Sequence, residues 1–428
     1  MLIEITIKNF RSISERQTLS LAAGQSSAEY NKASMLTGNS LAPSALRSCC
    51  LFGANAAGKS SFVEAIKFLS TFVEASAKDR QINSKIDTQP FVFDPAWRHA
   101  PTALEITFVY KSVLYQYGFV ADQKRIHQEW LYQKPLEDGT RIRKVFSRSL
   151  TDTLDGYDWY LNRALLSRES ESWKKNTRPN ALFLSTAVQL NSEELRMPYE
   201  WLVERLRVVE DASRLSNAYS VVQMIEGDRK NDIIDFLGSI DIPLEGIEID
   251  VGDFDPGELP DKLPREIIDS LEKELKGKKV IKEVHTTRLD SVGQKVNLSI
   301  ENESSGTQIL FSLSGPLLDT LQKGNTLIID ELQNNLHPLA LDYLINLFAS
   351  SKSNAHGAQL VFTSHNSSIL DNACLHRDQI WFVSKNSKLS TSAVPLSSFK
   401  DRRLPSLQKA YLNGRFGAVP IIDDVELD

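Results

Sequence analysis

Apolar and polar residues alternate at the start of the chain, where Leu2, Ile3, Ile5 and Ile7 predict a strand and Thr18 to Leu21 predict a second. Residues 23 to 45, rich in Ser, Ala, Gly and Asn, read as a loop. Cys49, Cys50, Leu51 and Phe52 then form a continuous apolar run, which suits a strand buried on both faces. Beyond it Phe62, Val63, Ile66 and Phe68 recur at near-helical spacing. Alternation returns in 104–110, in 114–119 and around Trp130-Leu131-Tyr132, predicting the antiparallel strands of a meander. From about 160 to 280 the period lengthens, with helical spacing in 192–210 and 220–238 and a Gly- and Pro-broken stretch at 252–264. No a/d heptad is sustained long enough for a coiled-coil arm. A helical stretch from Ile309 to Leu321 and two apolar strands, Thr326 to Ile329 and Gln359 to Ser364, follow. The pattern predicts an α/β protein with an N-terminal lobe (1–159), a helical insert (160–280) and a C-terminal lobe (281–428).

Between the apolar run and the first helix lies Gly53-Ala54-Asn55-Ala56-Ala57-Gly58-Lys59-Ser60, two glycines, a lysine and a hydroxyl at P-loop spacing. Glycines let backbone N–H groups close around a triphosphate, and the helix N-terminus adds its positive dipole end. Lys59 is expected to reach the β- and γ-phosphates and Ser60 to bind Mg²⁺. Gly53, Asn55, Gly58, Lys59, Ser60 and Ser61 form the expected nucleotide-binding set, with ATP and Mg²⁺ as cofactors. An ordinary Gly-containing turn before a helix is the alternative. The strand Thr326-Leu327-Ile328-Ile329 ends in Asp330-Glu331, a Walker B arrangement: Asp330 serves Mg²⁺, and Glu331 polarises the attacking water. The strand ending at Ser364 delivers His365 to the same carboxyl edge, where ligands of open α/β sheets bind. His365 is therefore a candidate γ-phosphate contact beside the catalytic Lys59 and Glu331.

Composition narrows the partners. With 41% hydrophobic and 24% charged residues the chain has a globular make-up, and its net charge of −6 supplies no bulk basic field for nucleic acid. Any nucleic-acid contact would be local, at Arg141, Arg143, Lys144 and Arg148 or at Lys174, Lys175 and Arg178; a solvated face is the plainer account of both clusters. Tyrosines interleaved with basic residues in the meander strands could be taken for a nucleic-acid surface, but aromatics at period two read as strand packing. Cys49, Cys50 and Cys374 lack metal spacing and read as reduced core thiols. No leader and no apolar run of about 18 residues is evident. A cytoplasmic protein without a membrane segment is expected.

Upstream of Walker B, Glu303-Ser304-Ser305-Gly306-Thr307-Gln308 opens a helix. The order of Walker A, a Ser-Gly-x-Gln signature, an Asp-Glu Walker B and a terminal switch His resembles ABC-type ATPase heads. Ser305, Gly306 and Gln308 match the signature, and Thr307 stands in place of its usual second glycine. The opening Lys8-Asn9-Phe10-Arg11-Ser12-Ile13 and Asn55 look like the SMC/RecF branch, and Leu336-His337-Pro338 resembles OLD-like ATPases. With the Ala410 to Ala418 tail these residues look most like the AAA15-type, RloA-like ATP-binding proteins of bacterial phage-defence loci, to which the ATPase subunit of PARIS is also similar. The resemblance covers both lobes and the insert only loosely. It implies a mixed central sheet beside an antiparallel meander, and a homodimer or higher homo-oligomer closing head to tail on ATP, each nucleotide held between one copy's Lys59 and the other's Ser305.

The resemblance also implies that Gln89 senses Mg²⁺ and that Arg11 approaches the nucleotide. A turn residue before Pro90 and a surface arginine are the respective alternatives. The implied function is a sensor or scaffold subunit that answers a nucleic-acid or phage-derived trigger and controls a separately encoded nuclease or RNase effector. The alternative is a RecF-like repair ATPase binding DNA directly. An OLD-type nuclease with its own TOPRIM domain is disfavoured, since about 60 residues follow His365. The acidic run from Asp423 to Asp428 reads as a solvated tail.

Overall fold

A computed structural model describes residues 1–23, 33–38, 42–78, 81, 84–136, 140–151, 156–258, 265, 270, 273–275, 277–371, 375–399 and 406–420. Cys374 and the acidic run at 423–428 lie outside the described residues. The chain divides into two compact units, one of Met1–Ala212 with Asp319–Asp428 and one of Ser213–Leu318.

The first unit holds two large sheets among the described residues. Strands β1 (Leu2–Lys8), β2 (Gln17–Ser20), β6 (Thr102–Tyr110), β7 (Val113–Ala121), β8 (Ile126–Pro135), β9 (Arg143–Leu150) and β10 (Tyr157–Leu161) form an antiparallel sheet in the order β10-β9-β8-β7-β6-β1-β2. The predicted meander is its centre. The loop expected over 23–45 contains a small hairpin of β3 (Ser34–Leu36) and β4 (Ser44–Leu46).

The second sheet is mixed, in the order β11-β15-β16-β5-β17-β18. It comprises β5 (Ser48–Phe52), β11 (Leu206–Val209), β15 (Thr326–Ile329), β16 (Gln359–Ser364), β17 (Ile380–Lys385) and β18 (Thr391–Pro395). All but the β17–β18 pair run parallel. Burial on both faces explains why β5, β15 and β16 carry apolar residues at consecutive positions, since every residue in them is buried. This is the α/β class expected from the sequence.

Helix α1 (Lys59–Ala75) follows β5 and buries Phe62, Ile66, Leu69 and Val73, one face at 3.6-residue spacing. The two sheets are pinned by one buried amide. Gln359, at the start of β16, donates to the carbonyls of Leu2 and Leu46, both at 2.9 Å.

The boundaries differ from the predicted insert of 160–280. Residues 160–212 belong to the first unit: Trp201 stacks on Phe108 with centroids 4.0 Å apart, and β11 is the edge strand beside Walker B. A four-residue strand interrupted by Arg207 is too short to declare a period of two. The second unit begins at Ser213 and is not purely helical. It packs α2 (Ala218–Ile225) and α3 (Lys230–Gly238) with a three-stranded antiparallel sheet of β12 (Gly246–Asp253), β13 (Lys279–Leu289) and β14 (Lys295–Ser299). It thus takes in residues 281–318, which the sequence assigns to the C-terminal lobe. Helix α4 (Ser305–Lys323) starts in the second unit and ends in the first.

Candidate nucleotide site

The loop after β5 is shaped by two positions that admit no side chain. A Cβ on Gly53 would lie 2.3 Å from the Val383 carbonyl oxygen. Gly58 has φ of 103°, and its Cβ would meet Thr391 Oγ1 at 2.0 Å and Ser12 Oγ at 2.6 Å. Those two hydroxyls brace the loop from behind. Thr391 Oγ1 lies 2.8 Å from Ser12 Oγ and donates to the Ala57 carbonyl at 3.0 Å, while Ser12 Oγ meets Ser61 Oγ at 2.7 Å. Ser12 lies in the opening stretch that carries the SMC/RecF resemblance, whereas Thr391 belongs to no recognised motif, and a strand more than 300 residues downstream gives no local signal of this contact.

Lys59, only 4% exposed, donates to the carbonyls of Gly53 at 3.0 Å and Ala54 at 3.2 Å, and its Nζ lies 3.3 Å from Glu331 Oε1. The other oxygen, Glu331 Oε2, lies 2.7 Å from His365 Nδ1 and accepts from Gln333 Nε2. Thr363 stands beneath: its hydroxyl bonds Asp330 Oδ1 and accepts from the Glu331 N–H at 2.8 Å. Three parallel strands make this convergence, because Ile329 pairs with Phe362 and Ser364 with Phe52, so their carboxyl ends fall at one edge. Glu331 turns out of the strand with φ of 50°, a left-handed conformation rare for a non-glycine residue. Burial pushes its carboxyl up, but the Lys59 ammonium and the bonds from Gln333 and His365 outweigh it and hold Glu331 below the usual carboxylate range. The group stays ionised at neutral pH.

The donor set suits a Mg-triphosphate. Lys59 supplies a positive charge, Ser60 an exposed hydroxyl at the first turn of α1, and Asp330 a carboxylate with lone pairs beyond the one Thr363 takes.

The structure brings Gly53, Gly58, Lys59, Asp330, Glu331 and His365 together, with Asn55 and Ser60 exposed on the same loop and helix start. Ser61, expected in the binding set, instead points into the interior toward Ser12. Arg11 and Gln89 meet each other: the Arg11 N–H donates to the Gln89 carbonyl at 2.6 Å, and the Arg11 guanidinium pairs with Glu64 of α1 at 3.2 Å. Ser305, Gly306 and Gln308 lie in the second unit at the start of α4. There Gln308 Nε2 donates to the carbonyls of Glu301 and Glu303, both at 2.9 Å, and Thr307 Oγ1 lies 2.9 Å from Ser304 Oγ. The buried Thr307, in place of a glycine, is thus part of the cap of its own helix. Ser305 is exposed.

Of the basic clusters, Arg148 is no surface residue. It is fully buried and paired with Glu129 at 2.9 Å. Arg178 donates to the carbonyls of Ser76 and Ala77.

The profile of an AAA domain family, described as putative AbiEii toxin, Type IV TA system, matches residues 49–371, from the Walker A strand to the turn beyond His365. The chain belongs to this AAA domain family. Among solved structures the AAA domain chain is similar to the SMC head domain from Thermotoga maritima, at 13% identity over 92% of this chain and 98% of that one, with a TM-score of 0.39. It is also similar to the recombination mediator protein RecF of the RecFOR pathway. The ATPrS form shows 13% identity over 92% and 98% of the chains with a TM-score of 0.32, and the ATP form 14% over 92% and 99% with 0.31. No curated protein matches. Among the described residues no helix is long and apolar enough to cross a membrane.

Proposed function

We propose that this AAA domain chain binds ATP with Mg²⁺ and hydrolyses it. The observation that carries this reading is the chain Lys59–Glu331–His365, an ion pair followed by a hydrogen bond, drawn from the first turn of α1 and the ends of β15 and β16. Lys59 takes charge developing on the transferred phosphoryl oxygens. Glu331, kept ionised, accepts the proton of a water attacking the γ-phosphorus as the bond to the leaving ADP oxygen breaks, giving ADP and inorganic phosphate. His365 orients Glu331 through Nδ1 and presents Nε2 toward the γ-phosphate. Bound Mg²⁺, held through Ser60 and Asp330, would neutralise charge on the β- and γ-oxygens. Gln89 and Arg11 act together as a strut between the first turn and α1.

The site works between two copies, with Ser305 and Gly306 of one facing the nucleotide on the other. Its cycle controls a separately encoded effector in phage defence, as the resemblance to RloA-like proteins and the toxin–antitoxin description of the family suggest.

Lys59→Ala is expected to abolish ATP binding in an equilibrium titration. Glu331→Gln keeps size and shape but loses the proton acceptor, so binding stays while hydrolysis falls by about 10²-fold or more. Unchanged affinity in the first variant or native turnover in the second rules the assignment out. Strong stimulation by DNA, lost steeply with salt, would favour the repair reading.

A further inference from the structure

Gln333 occupies an energetically unfavourable place. It sits two residues past Glu331 with 8% of its surface exposed, and its Nε2 donates to Glu331 Oε2 while lying 3.2 Å from Asn334 Oδ1 and 3.0 Å from His365 Nδ1. Its Oε1 is buried with no hydrogen-bond partner. A buried acceptor left unpaired costs free energy, and an apolar side chain of the same length would avoid that cost. Turning the amide over does not resolve it. Oε1 would then gain the His365 Nδ1 proton but stand against Glu331 Oε2, two acceptors face to face. The charge on Glu331 therefore fixes which way the amide points, and the amide in turn fixes Glu331.

We propose that Gln333 is a positioning residue for hydrolysis, an amide clamp that holds the Glu331 carboxylate in one rotamer between Lys59 and His365. This rests on the reading of Glu331 as the proton acceptor. The geometry divides the work between two oxygens: Oε1 faces Lys59, and Oε2 is shared by the Gln333 amide and the His365 imidazole. Without the amide, a glutamate whose backbone already sits at φ of 50° keeps Lys59 on Oε1 but has only His365 to hold Oε2. His365 is itself 43% exposed at its side chain and can follow it. With Glu331 in place and no nucleotide bound, the carboxylate favours a proton on Nδ1; with Glu331 released, that preference is lost.

The test replaces Gln333 with methionine, which keeps length and volume and removes both polar atoms. Three quantities are measured on the full chain: steady-state hydrolysis, thermal midpoint, and the ¹⁵N signals of histidine-labelled protein without nucleotide. The His365 signals are assigned by His365→Gln among the seven histidines. The expected result is a kcat about tenfold to a hundredfold lower with KM for ATP within about twofold, the cost of a misplaced catalytic group. The thermal midpoint stays level or rises, and His365 passes from a fixed Nδ1–H tautomer to an averaged one. A merely structural glutamine would lower the midpoint and leave the tautomer alone. Native kcat in Gln333→Met, a loss confined to KM, or unchanged His365 signals overturns the clamp while ATP hydrolysis stands. If the native chain shows no Glu331-dependent hydrolysis, the functional reading fails and the clamp fails with it.

Discussion

Glu129 carries a carboxylate at zero exposure and answers it completely. Oε2 accepts from Arg148 Nε at 3.0 Å and from the Phe183 N–H at 2.7 Å, and Oε1 accepts from Tyr117 Oη at 3.2 Å and the Leu184 N–H at 3.1 Å. The Arg148 guanidinium lies over Tyr157 and Trp159, 5.2 and 5.5 Å from their centroids. Arg148→Ala leaves the buried charge without its counter-ion, so the chain should lose about 3–5 kcal/mol of stability, read from its urea midpoint. A loss within the roughly 0.5 kcal/mol of a surface substitution would contradict this account. The sequence reading puts Arg148 on a solvated face, and the structure corrects it. Period-two parity with Phe146 places Arg148 on the inward face of β9, but its partner is found only in the register that sets Glu129 opposite it. That the glycines, Lys59, Asp330, Glu331 and His365 meet at one sheet edge was readable because motif spacing and strand ends place them there. Thr363, Thr391 and Gln333 support them across the fold and leave no local mark.

Helix α4 contains Pro316, which lacks the N–H that would bond the Ser312 carbonyl. Ser220 of α2 fills the gap. Its hydroxyl lies 2.9 Å from the Ser312 oxygen and 2.8 Å from that of Phe311, and it accepts from the Gly315 N–H at 3.0 Å. Gly315 permits the approach, since a Cβ there would lie 2.6 Å from Ser220 Cα. Ser220→Ala should therefore cost about 1–3 kcal/mol within the second unit. Hydrogen exchange of the amides around 309–316 should quicken while those of β5 and β16 do not change. Equal quickening in both places would mean that the hydroxyl supports the whole chain and not this notch. Long periodic elements such as α1 and the meander were visible in the sequence. β11 was not, at four residues, and the second unit's sheet was hidden because β14 is exposed along nearly its whole length and shows little apolar contrast.

The residues proposed to serve the nucleotide fall in two compact units, with Lys59, Glu331 and His365 in one and Ser305 and Gly306 in the other. The composite arrangement between copies makes a prediction that neither unit makes alone. Lys59→Ala and Ser305→Arg chains, each inactive, should recover partial hydrolysis when mixed, because one of the two sites in a mixed dimer has both halves intact. Turnover of either variant alone at the native rate, or a mixture no more active than its parts, counts against shared sites. The α/β class and the order of motifs could be read from sequence. Of the two places where the chain divides, the one after Leu318 could not, because it falls within α4, a continuous helix, and helical periodicity gives no sign of it.

Cys49 and Cys50 lie side by side on β5, at zero exposure, paired across the sheet with Val361 and Phe362. Burial pushes both thiols far above their ordinary range, so neither is a thiolate while the sheet is closed. Together they are a clock built into the strand that carries the phosphate loop. In a Cys374→Ser background, an aromatic disulfide reagent can reach them only in molecules whose central sheet has opened. The rate of colour release therefore measures that opening directly, and any ligand that closes on the loop should show itself as a slower clock.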